Sequence, residues 1–535
     1  MVKVQPLLVW CALAIGSSAE IQSVSTPPEA VESEAQKVLQ QDGAAPCAHA
    51  CSSLTLDLPQ KVFLGHDGGF AMWDAKQHEL VPACRVVPTS AEDIVAIIEA
   101  AKSNQCHFAI KSGGHSRMAG ASNAEGGITI DLEKLTSIEL AKDQKSVTIG
   151  AGARWGEIYT TLEKESLTVI GGRVADVGIG GLVLGGGISF FSGVHGLACD
   201  NVISYEIVLP TGKIVKVSEN ENSDLFWALR GGGSSNFGVV TSFVLETKEL
   251  LNPNGLWYSN RMHTPDKLPD LTAARHQWME GLGEDQRVGG YDVYAYSGMH
   301  GMSLMASQHI HLDHADPTTS PPLFNAYDPI EALQEVDITR VMPMSNITKE
   351  VSDMSPYNMR YSYSTFTRKP DMALDEKIMG YLDEVAEEIK HIPGVVATFI
   401  MQALSKDALS HTKRRGGNSL GLRESDGPLA INSISWMWAS AEFDELMQSQ
   451  VQSFVRKSEQ AAKDAGLWHP FKYINYAEKW QEADVLAGFG ETNLKKLRGI
   501  QRKYDPEGVF TKGGLCGGYF MFNEKLGRQE VRDEL

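Results

Sequence analysis

The sequence predicts an α+β protein in which a glycine-rich domain is interrupted by a second domain of antiparallel strands and helices. Over residues 50–248, strand-like and helix-like segments alternate with glycine turns. Over residues 250–465, glycine thins out and long amphipathic segments lie between strand-like runs. The glycine-punctuated pattern returns between Tyr473 and Tyr519. We therefore expect the end of the chain to complete the first domain.

The first domain is predicted from its caps, turns and apolar spacing. Ser90 is a suitable N-cap for a helix that carries Glu92 and Asp93 in its first turn. The turn 210–213, Pro-Thr-Gly-Lys, predicts a hairpin, because proline fixes one backbone angle and glycine permits a positive one. Further helices are expected at Trp155–Leu162 and Asp224–Leu229. The expected strands are residues 107–110, 128–131, 146–150, 201–209, 214–217 and 239–246.

The second domain is predicted from two long helical patterns and three strand-like runs. Apolar residues keep helical spacing between Leu374 and Ile389 and again between Phe443 and Val455. The expected strands are residues 291–296, 395–401 and 433–438. Helices packed on a mostly antiparallel sheet explain this pattern.

Composition and charge indicate a globular protein and exclude two classes of partner. The chain has 535 residues, of which 42% are hydrophobic and 21% are charged. Its formal net charge of −19 argues against binding to nucleic acid or to an anionic membrane. We expect a monomer whose partner is a small molecule, with no metal.

The first residues resemble a signal peptide. Lys3 precedes the apolar run Pro6–Ile15, which is too short to span a bilayer, and small residues follow at 17–19. We therefore expect cleavage after residue 19, entry into the secretory pathway, and a flexible leader over residues 20–46.

The last four residues, Arg532-Asp533-Glu534-Leu535, match three of the four positions of the K-D-E-L retrieval signal. Secretion and retention in the endoplasmic reticulum lumen therefore both stay open.

The cysteines and one sequon fit such a route. Cys47 and Cys51 have no second pair downstream, so a zinc site is disfavoured and one or two disulfides near the N-terminus are expected. Asn346-Ile347-Thr348 is the only N-glycosylation sequon, expected on a surface loop. The cysteines that remain after signal removal are Cys47, Cys51, Cys84, Cys106, Cys199 and Cys516.

Three glycine clusters carry the chemistry. In Lys111-Ser112-Gly113-Gly114-His115-Ser116, two residues without a Cβ let the backbone approach a phosphate, and successive N–H groups can form an anion-binding concavity. A histidine lies directly beside this concavity. Two further clusters follow, at 178–187 and 231–233. The three together predict a phosphate-bearing ligand.

These motifs resemble those of the berberine-bridge-enzyme-like flavoproteins, within the vanillyl-alcohol-oxidase superfamily. Residues 111–116 resemble the R-S-G-G-H-S element, and Val177–Gly187 resemble the second flavin-contacting loop. The resemblance covers about residues 50–520. The other matching segments are Cys199–Val202, Leu229–Thr241, Tyr473–Tyr476 and Tyr504–Phe510.

The resemblance implies a PCMH-type FAD-binding domain made of two α+β subdomains. Its residues would be 47–248, completed by 468–522, with the substrate-binding domain 249–467 inserted and 523–535 left as a tail. By the same resemblance, the cofactor-binding residues are Lys111, Ser112, Gly113, Gly114, His115, Ser116, Val177, Gly178, Gly180, Gly181, Asp200, Asn201, Val202, Gly238, Val240 and Asn475.

The resemblance also implies how FAD is attached. In the family, the histidine of the G-G-H element is bonded to the flavin 8α carbon, a role that falls on His115; the alternative is a loop histidine that only donates hydrogen bonds. Many relatives add a cysteine in a C-P-T-V-G run. Here that run is Val174–Gly178 and has no thiol, so we expect one covalent link, with Cys199 as a small packed residue.

The implied activity is that of an FAD-dependent oxidase, which moves a hydride from a small organic substrate to flavin N5 and regenerates the flavin with O2, giving H2O2. Tyr476 is the first candidate for the base and Tyr473 the second; the alternative is that both only pack on the flavin. Val177, in the position that admits oxygen in relatives, is either such a residue or a packed core valine.

The substrate wall is expected to come from the inserted domain. Gln402, Trp436 and Trp438 lie on or beside strands that could face the flavin. The substrate could be an alcohol, an amine or an activated C–H compound of secondary metabolism, with or without ring closure. A redox-neutral cyclase or isomerase, a carbohydrate oxidase and a non-catalytic binding protein are the alternatives.

Overall fold

The computed structural model describes residues 44–525, so the expected signal peptide and the C-terminal tetrapeptide lie outside the described residues. Helices and sheets are segregated as the sequence predicts, and the α+β fold class is confirmed. The helices are α1 (Ala44–Asp57), α2 (Ala75–His78), α3 (Ala91–Ser103), α4 (Trp155–Leu162), α5 (Ile179–Leu184), α6 (Ser192–His195), α7 (Ser223–Leu229), α8 (Leu268–Glu280), α9 (Met344–Asp353), α10 (Met372–Ile389), α11 (Lys406–Ser410), α12 (Asp444–Asp464), α13 (Glu482–Gly488) and α14 (Glu491–Tyr504).

The first sheet places the first glycine loop at the end of a buried parallel strand. Its strands are β1 (Val62–Leu64), β2 (Cys84–Val86), β3 (Phe108–Lys111) and β4 (Ile128–Asp131), in the order β1-β2-β4-β3. β4 is parallel to both β2 and β3. Helix α3 begins at the predicted cap, because the Ser90 hydroxyl oxygen accepts from the Asp93 N–H at 3.4 Å. Residues 112–116 follow directly after β3 and start the site.

The second sheet is antiparallel and carries the predicted hairpin. Its strands are β5 (Ile138–Leu140), β6 (Ser146–Gly150), β8 (Val202–Val208), β9 (Ile214–Ser218) and β10 (Val239–Glu246), in the order β5-β6-β10-β8-β9. β7 (Leu167–Thr168) and β11 (Lys248–Glu249) form a separate pair. The C-terminal segment returns to the glycine-rich half, which these first two sheets form. There the Phe108 N–H of β3 donates to the Leu515 carbonyl at 2.9 Å.

The third sheet has eight strands and forms the other half. Its strands are β12 (Leu256–His263), β13 (Val288–Ser297), β14 (Met302–His311), β15 (Asp337–Met342), β16 (Arg360–Arg368), β17 (Val396–Leu404), β18 (Leu429–Trp438) and β19 (Trp468–His469), in the order β15-β12-β14-β13-β17-β18-β16-β19. All of its pairings are antiparallel.

The two faces of this sheet belong to two different cores. Alternate residues such as Phe399 and Ile434 pack with helices α10 and α12. Their neighbours on the opposite face, including Tyr291, Val293 and Ile431, pack with the glycine-rich half. The sheet therefore separates a helical layer from the cavity described below.

Two disulfides fix α1 to the glycine-rich half. Cys47 is bonded to Cys106 and Cys51 to Cys84, so the expectation of one or two bridges near the N-terminus is confirmed. Cys199 and Cys516 are free and buried. Among residues 44–525, no helix combines the length and apolar character needed to cross a membrane.

Candidate active site

A large cavity lies between the glycine loops and the eight-stranded sheet. Its empty volume is about 1700 Å³, open solvent at its mouth included. Loops after β3 and before α5, the third glycine cluster and the segment after β19 meet around it. Of the residues expected to bind the cofactor, those that line the cavity are Ser112, Gly113, Gly114, His115, Ser116, Val177, Gly178, Gly180, Gly181, Gly238, Val240 and Asn475.

The first two loops pack backbone against backbone. A Cβ on Gly113 would collide with the backbone of Gly178, and a Cβ on Gly178 would collide with Gly113. The Ser112 hydroxyl ties the loops together, because it donates to the Ala151 carbonyl at 2.6 Å and accepts from the Gly180 N–H at 3.3 Å. Only glycine fits at this crossing, so a bare backbone lines the cavity there.

Four residues expected to contact the cofactor do not line the cavity. The Lys111 ammonium group turns away and pairs with the buried Asp131 carboxylate at 2.9 Å. Asp200 accepts from the Leu197 N–H and from the Asn418 amide, and Asn201 and Val202 are buried beside it. Burial raises the pKa of Asp200 to about 6. These residues support the loops from behind, and their part in cofactor binding stays a prediction.

His115 lies on the cavity wall with its ring stacked on Trp73. The ring centroids are 4.0 Å apart and the planes differ by 14°. Tyr361 stacks on the other face of Trp73 at 3.9 Å. Burial lowers the pKa of His115 to about 4, so its imidazole is neutral at physiological pH. A neutral ring nitrogen has the lone pair that bond formation to a carbon requires.

Tyr476 and Tyr473 have different hydroxyl environments. The Tyr473 oxygen is buried and accepts from the Gly187 N–H, the Ile188 N–H and the Asn475 amide at 2.9–3.1 Å. Burial raises the pKa of Tyr473. The Tyr476 oxygen accepts from a terminal guanidinium N–H of Arg173 at 2.5 Å. It is within 3.4 Å of the Gln402 side-chain oxygen, to which it donates.

Arg173 was not among the predicted site residues. Its guanidinium carbon lies 4.8 Å from the Tyr291 ring centroid and 5.6 Å from that of Phe190. It follows a glycine pair that leaves no room for a Cβ, since each glycine packs on Trp155. That Gly-Gly-Arg run directly before the second loop was the available signal. Cavity residues with aromatic or charged side chains that were also missed include Trp73, Arg117, Tyr363, Tyr519 and Phe520.

The expected substrate wall needs one correction. Trp436 and Trp438 are fully buried on the helix-facing side of the sheet, where the Trp438 ring N–H donates to Asp444 at 2.7 Å. Strand alternation predicts that both tryptophans lie on one face of the sheet. It does not predict whether that face packs against the helices or faces the cavity. The prediction that they line the substrate pocket was wrong. Gln402, on the other face of the sheet, does reach Tyr476.

Two further predictions concern Asn346 and Cys199. The sequon lies in helix α9, with Asn346 exposed and Thr348 buried, so the expected surface loop is a helical turn at the surface. Cys199 is buried, and burial raises the pKa of its thiol. It is a packed residue away from the cavity wall, as expected.

The residues present fit FAD. A dinucleotide needs a long cleft with close backbone approach for its pyrophosphate, and the glycine crossing at 113 and 178 supplies it. At Gly181 a Cβ would meet nothing within 4 Å, so the wall there is open to a ligand. His115, Ser112 and Asn475 would hold the cofactor along one wall.

Comparisons with known proteins agree with this fit. A family model described as an FAD binding domain matches residues 82–218. The chain is 36% identical over 455 residues to the FAD-dependent monooxygenase tpcD of Cochliobolus heterostrophus, covering 82% of this chain and 85% of that protein. It is 36% identical over 457 residues to the FAD-dependent monooxygenase FUP4 of Fusarium proliferatum, covering 84% and 87%.

Solved structures share the fold. Glucooligosaccharide oxidase from Acremonium strictum, described with a 6-S-cysteinyl, 8α-N1-histidyl FAD, has a TM-score of 0.70 at 20% identity and covers 89% of this chain and 99% of its own. Berberine bridge enzyme in complex with (S)-reticuline has a TM-score of 0.68 at 15% identity, with the same coverage of 89% and 99%. The chain therefore belongs to the same family of FAD-dependent oxidoreductases as its two fungal relatives, and it has the PCMH-type FAD-binding fold of berberine bridge enzyme.

Proposed function

We propose that this protein is an FAD-dependent oxidase of a small organic substrate, with FAD bonded through His115 alone. The observation that supports this most strongly is the Tyr476 hydroxyl, held at the cavity wall between Arg173 and Gln402. FAD, when bound, supplies the two-electron acceptor and passes the electrons to O2, giving H2O2. The chain supplies a proton acceptor (Tyr476), a positive charge (Arg173) and the wall of the substrate cavity.

Tyr476 is the residue we assign as the base. When the carbon that bears a substrate hydroxyl loses its hydrogen as a hydride, the hydroxyl must lose its proton so that a carbonyl forms, and the Tyr476 oxygen is the proton acceptor. The Arg173 guanidinium donates a hydrogen bond to the same oxygen and so fixes its position at the cavity wall. Tyr473, with three donors on its oxygen, positions the loop around it.

We expect a single covalent link to FAD because the second glycine loop has no cysteine. Val174 and Val177 line the cavity in the run where many relatives carry a cysteine. Neither side chain can form a thioether, so His115 is the attachment point. Val177 would leave space for oxygen at the wall, because its side chain is short.

A second candidate, a monooxygenase, is favoured by the names of the two relatives at 36% identity. A monooxygenase places one oxygen atom of O2 in its product, whereas an oxidase releases both in H2O2.

The two candidates are separated by one experiment. Alcohols, sugars and polyketide-like or alkaloid-like compounds are first screened under nitrogen for bleaching of the flavin. The compound that bleaches it is then turned over under 18O2. One H2O2 per product with no 18O in the product supports the oxidase. One 18O per product supports the monooxygenase. A compound that the protein converts without lasting bleaching of the flavin and without oxygen uptake supports a redox-neutral cyclase or isomerase.

The route through the cell is part of the proposal. The two disulfides fit an oxidising compartment, and Asn346 is exposed enough to carry a glycan. We propose a monomer of the secretory pathway, secreted or retained in the endoplasmic reticulum lumen.

The domain division is also part of the proposal. Limited proteolysis would test the domain boundaries at 248/249 and 467/468.

A further inference from the structure

Arg173 is a cation without a carboxylate partner. Among residues 44–525, its contacts are the Tyr476 oxygen and the faces of two aromatic rings, and it forms no ion pair. Tyr476 takes one N–H of a group that has five. A guanidinium that lies against ring faces keeps its N–H edge free for a planar anion.

The cavity wall as a whole carries cationic side chains and no carboxylates among the described residues. Its only ionisable side chains, tyrosines aside, are Arg117, Arg173 and the neutral His115, and the described wall contains no aspartate or glutamate. Arg117 is already engaged, since it donates to the Asn475 and Ala477 carbonyls and lies near Glu478 and Asp74. On the described wall, Arg173 is therefore the cation that remains available to a substrate.

The surroundings of Arg173 suit a flat molecule. Phe190 and Tyr291 are nearly parallel, with planes 7° apart and ring centroids at 6.3 Å. The Gln402 side-chain nitrogen, buried beside them, has no hydrogen-bond partner among the described residues. Gln402 and Arg173 also line a small chamber next to the main cavity. Arg173 therefore faces both spaces, and Gln402 faces the chamber. The chamber also contains Asp285, whose carboxylate is already paired with Arg287 and His311.

We propose that Arg173, assisted by Gln402, binds an anionic oxygen of a planar aromatic substrate, either a carboxylate or an acidic hydroxyl. The proposal rests on the oxidase function proposed above and narrows its substrate class. Charge-assisted hydrogen bonds from the guanidinium hold the anion, and the reacting group lies towards Tyr476. Protonated amines are disfavoured, because a cation in the main cavity would meet the guanidinium on a described wall that has no carboxylate.

The test measures binding to the oxidised holoenzyme through the change in flavin absorbance, so it does not depend on turnover. The probes are 2-naphthoate, its neutral analogue 2-naphthamide and the cation 2-naphthylmethylammonium, at pH 7. A second pair, 7-hydroxycoumarin and 7-methoxycoumarin, reports on an acidic hydroxyl. We expect an anionic probe to bind roughly 10- to 100-fold more tightly than its neutral analogue. A preference within the naphthyl pair indicates that the site binds a carboxylate, and a preference within the coumarin pair indicates that it binds an acidic hydroxyl.

Arg173→Gln should bring the affinity ratio of the anionic probe to its neutral analogue close to one, because the substitution removes the charge and keeps a polar side chain. Arg173→Lys should keep part of the preference. Arg340→Gln is the matched control, since that arginine pairs with Glu350 at the surface and should leave the preference unchanged. FAD content is measured for each variant, and if Arg173→Gln loses FAD, the comparison uses Arg173→Lys and the wild-type probe series.

The proposal is overturned if both neutral analogues bind as tightly as the anions, if the ammonium probe binds best, or if the preference survives in Arg173→Gln. A protein that shows the anion preference but yields no H2O2 with any bleaching substrate would keep this binding site and reject the oxidase function.

Discussion

At the scale of single residues, the polar groups at the cavity differ in what their protons can do. Tyr473 is fixed as an acceptor of three hydrogen bonds, whereas Tyr476 lies between a cation and an amide oxygen. The pattern Tyr-Ile-Asn-Tyr identified both residues from the sequence but not this difference. Long-range neighbours decide it, since Arg173 is about 300 positions away in the chain.

Tyr476→Phe removes the proton acceptor and leaves the ring. Flavin reduction by the substrate should slow by roughly 10²- to 10⁴-fold, while the substrate dissociation constant changes far less. Anaerobic stopped-flow measurement of flavin bleaching gives both quantities. Tyr381→Phe, on helix α10 outside the site, is the control. An unchanged reduction rate in Tyr476→Phe would remove this residue as the base.

At the scale of elements, the glycine loops were predictable and the sheet faces were not. The first loop follows a buried strand and begins where the sequence indicates. Strand β16, by contrast, reads Arg-Tyr-Ser-Tyr-Ser-Thr-Phe-Thr-Arg and was missed. It is covered on both faces, and some of its buried polar groups are paired inside the protein, as where Thr365 donates to the Asn432 carbonyl at 2.7 Å. Such a strand lacks the apolar alternation that reveals a half-buried one.

Gly178→Ala tests the crossing of the two loops. The added methyl group would collide with Gly113 and lie 2.5 Å from the Ser112 hydroxyl, so the loops must separate. We expect FAD content to fall several-fold and stability to fall by about 1–3 kcal/mol. Absorbance at the flavin bands and thermal unfolding measure these effects. Gly499→Ala, on α14 with nothing within 4 Å, should leave both intact; equal FAD content in the two variants would contradict this account.

At the scale of the whole molecule, two cores meet at one sheet, and several buried or half-buried histidines link folding to pH. Burial lowers the pKa of six described histidines: His78, His115, His195, His263, His411 and His469. Their unfolded forms bind protons below about pH 6.5, and the folded forms bind them only at lower pH. Their contribution to stability is therefore present above pH 6.5 and is lost as the pH falls towards 4.

Asp74 and Asp200 act in the opposite direction. Burial raises the pKa of each to about 6, so the folded state holds their protons more tightly and gains stability as the pH falls below 6. Burial raises the pKa of Glu350 and Asp505 as well. In the holoprotein, five histidines remain beside the FAD-bonded His115, and they outnumber these four carboxyl groups. We expect the melting temperature of the holoprotein to fall by on the order of a few °C between pH 7 and pH 5. Differential scanning calorimetry at the two pH values measures this. A constant or higher melting temperature at pH 5 would show that the histidines are not buried as described.

The most direct measurement is the intact mass of the purified protein, taken together with its absorbance after acid precipitation. The central claim is that the glycine-lined cavity holds one FAD bonded to His115. We expect a yellow precipitate and a mass increased by one FAD in the wild-type protein and in Cys199→Ala, and a colourless precipitate with a yellow supernatant in His115→Ala. A wild-type protein that is colourless and takes up no added FAD, or one whose flavin stays attached in His115→Ala, would contradict the account.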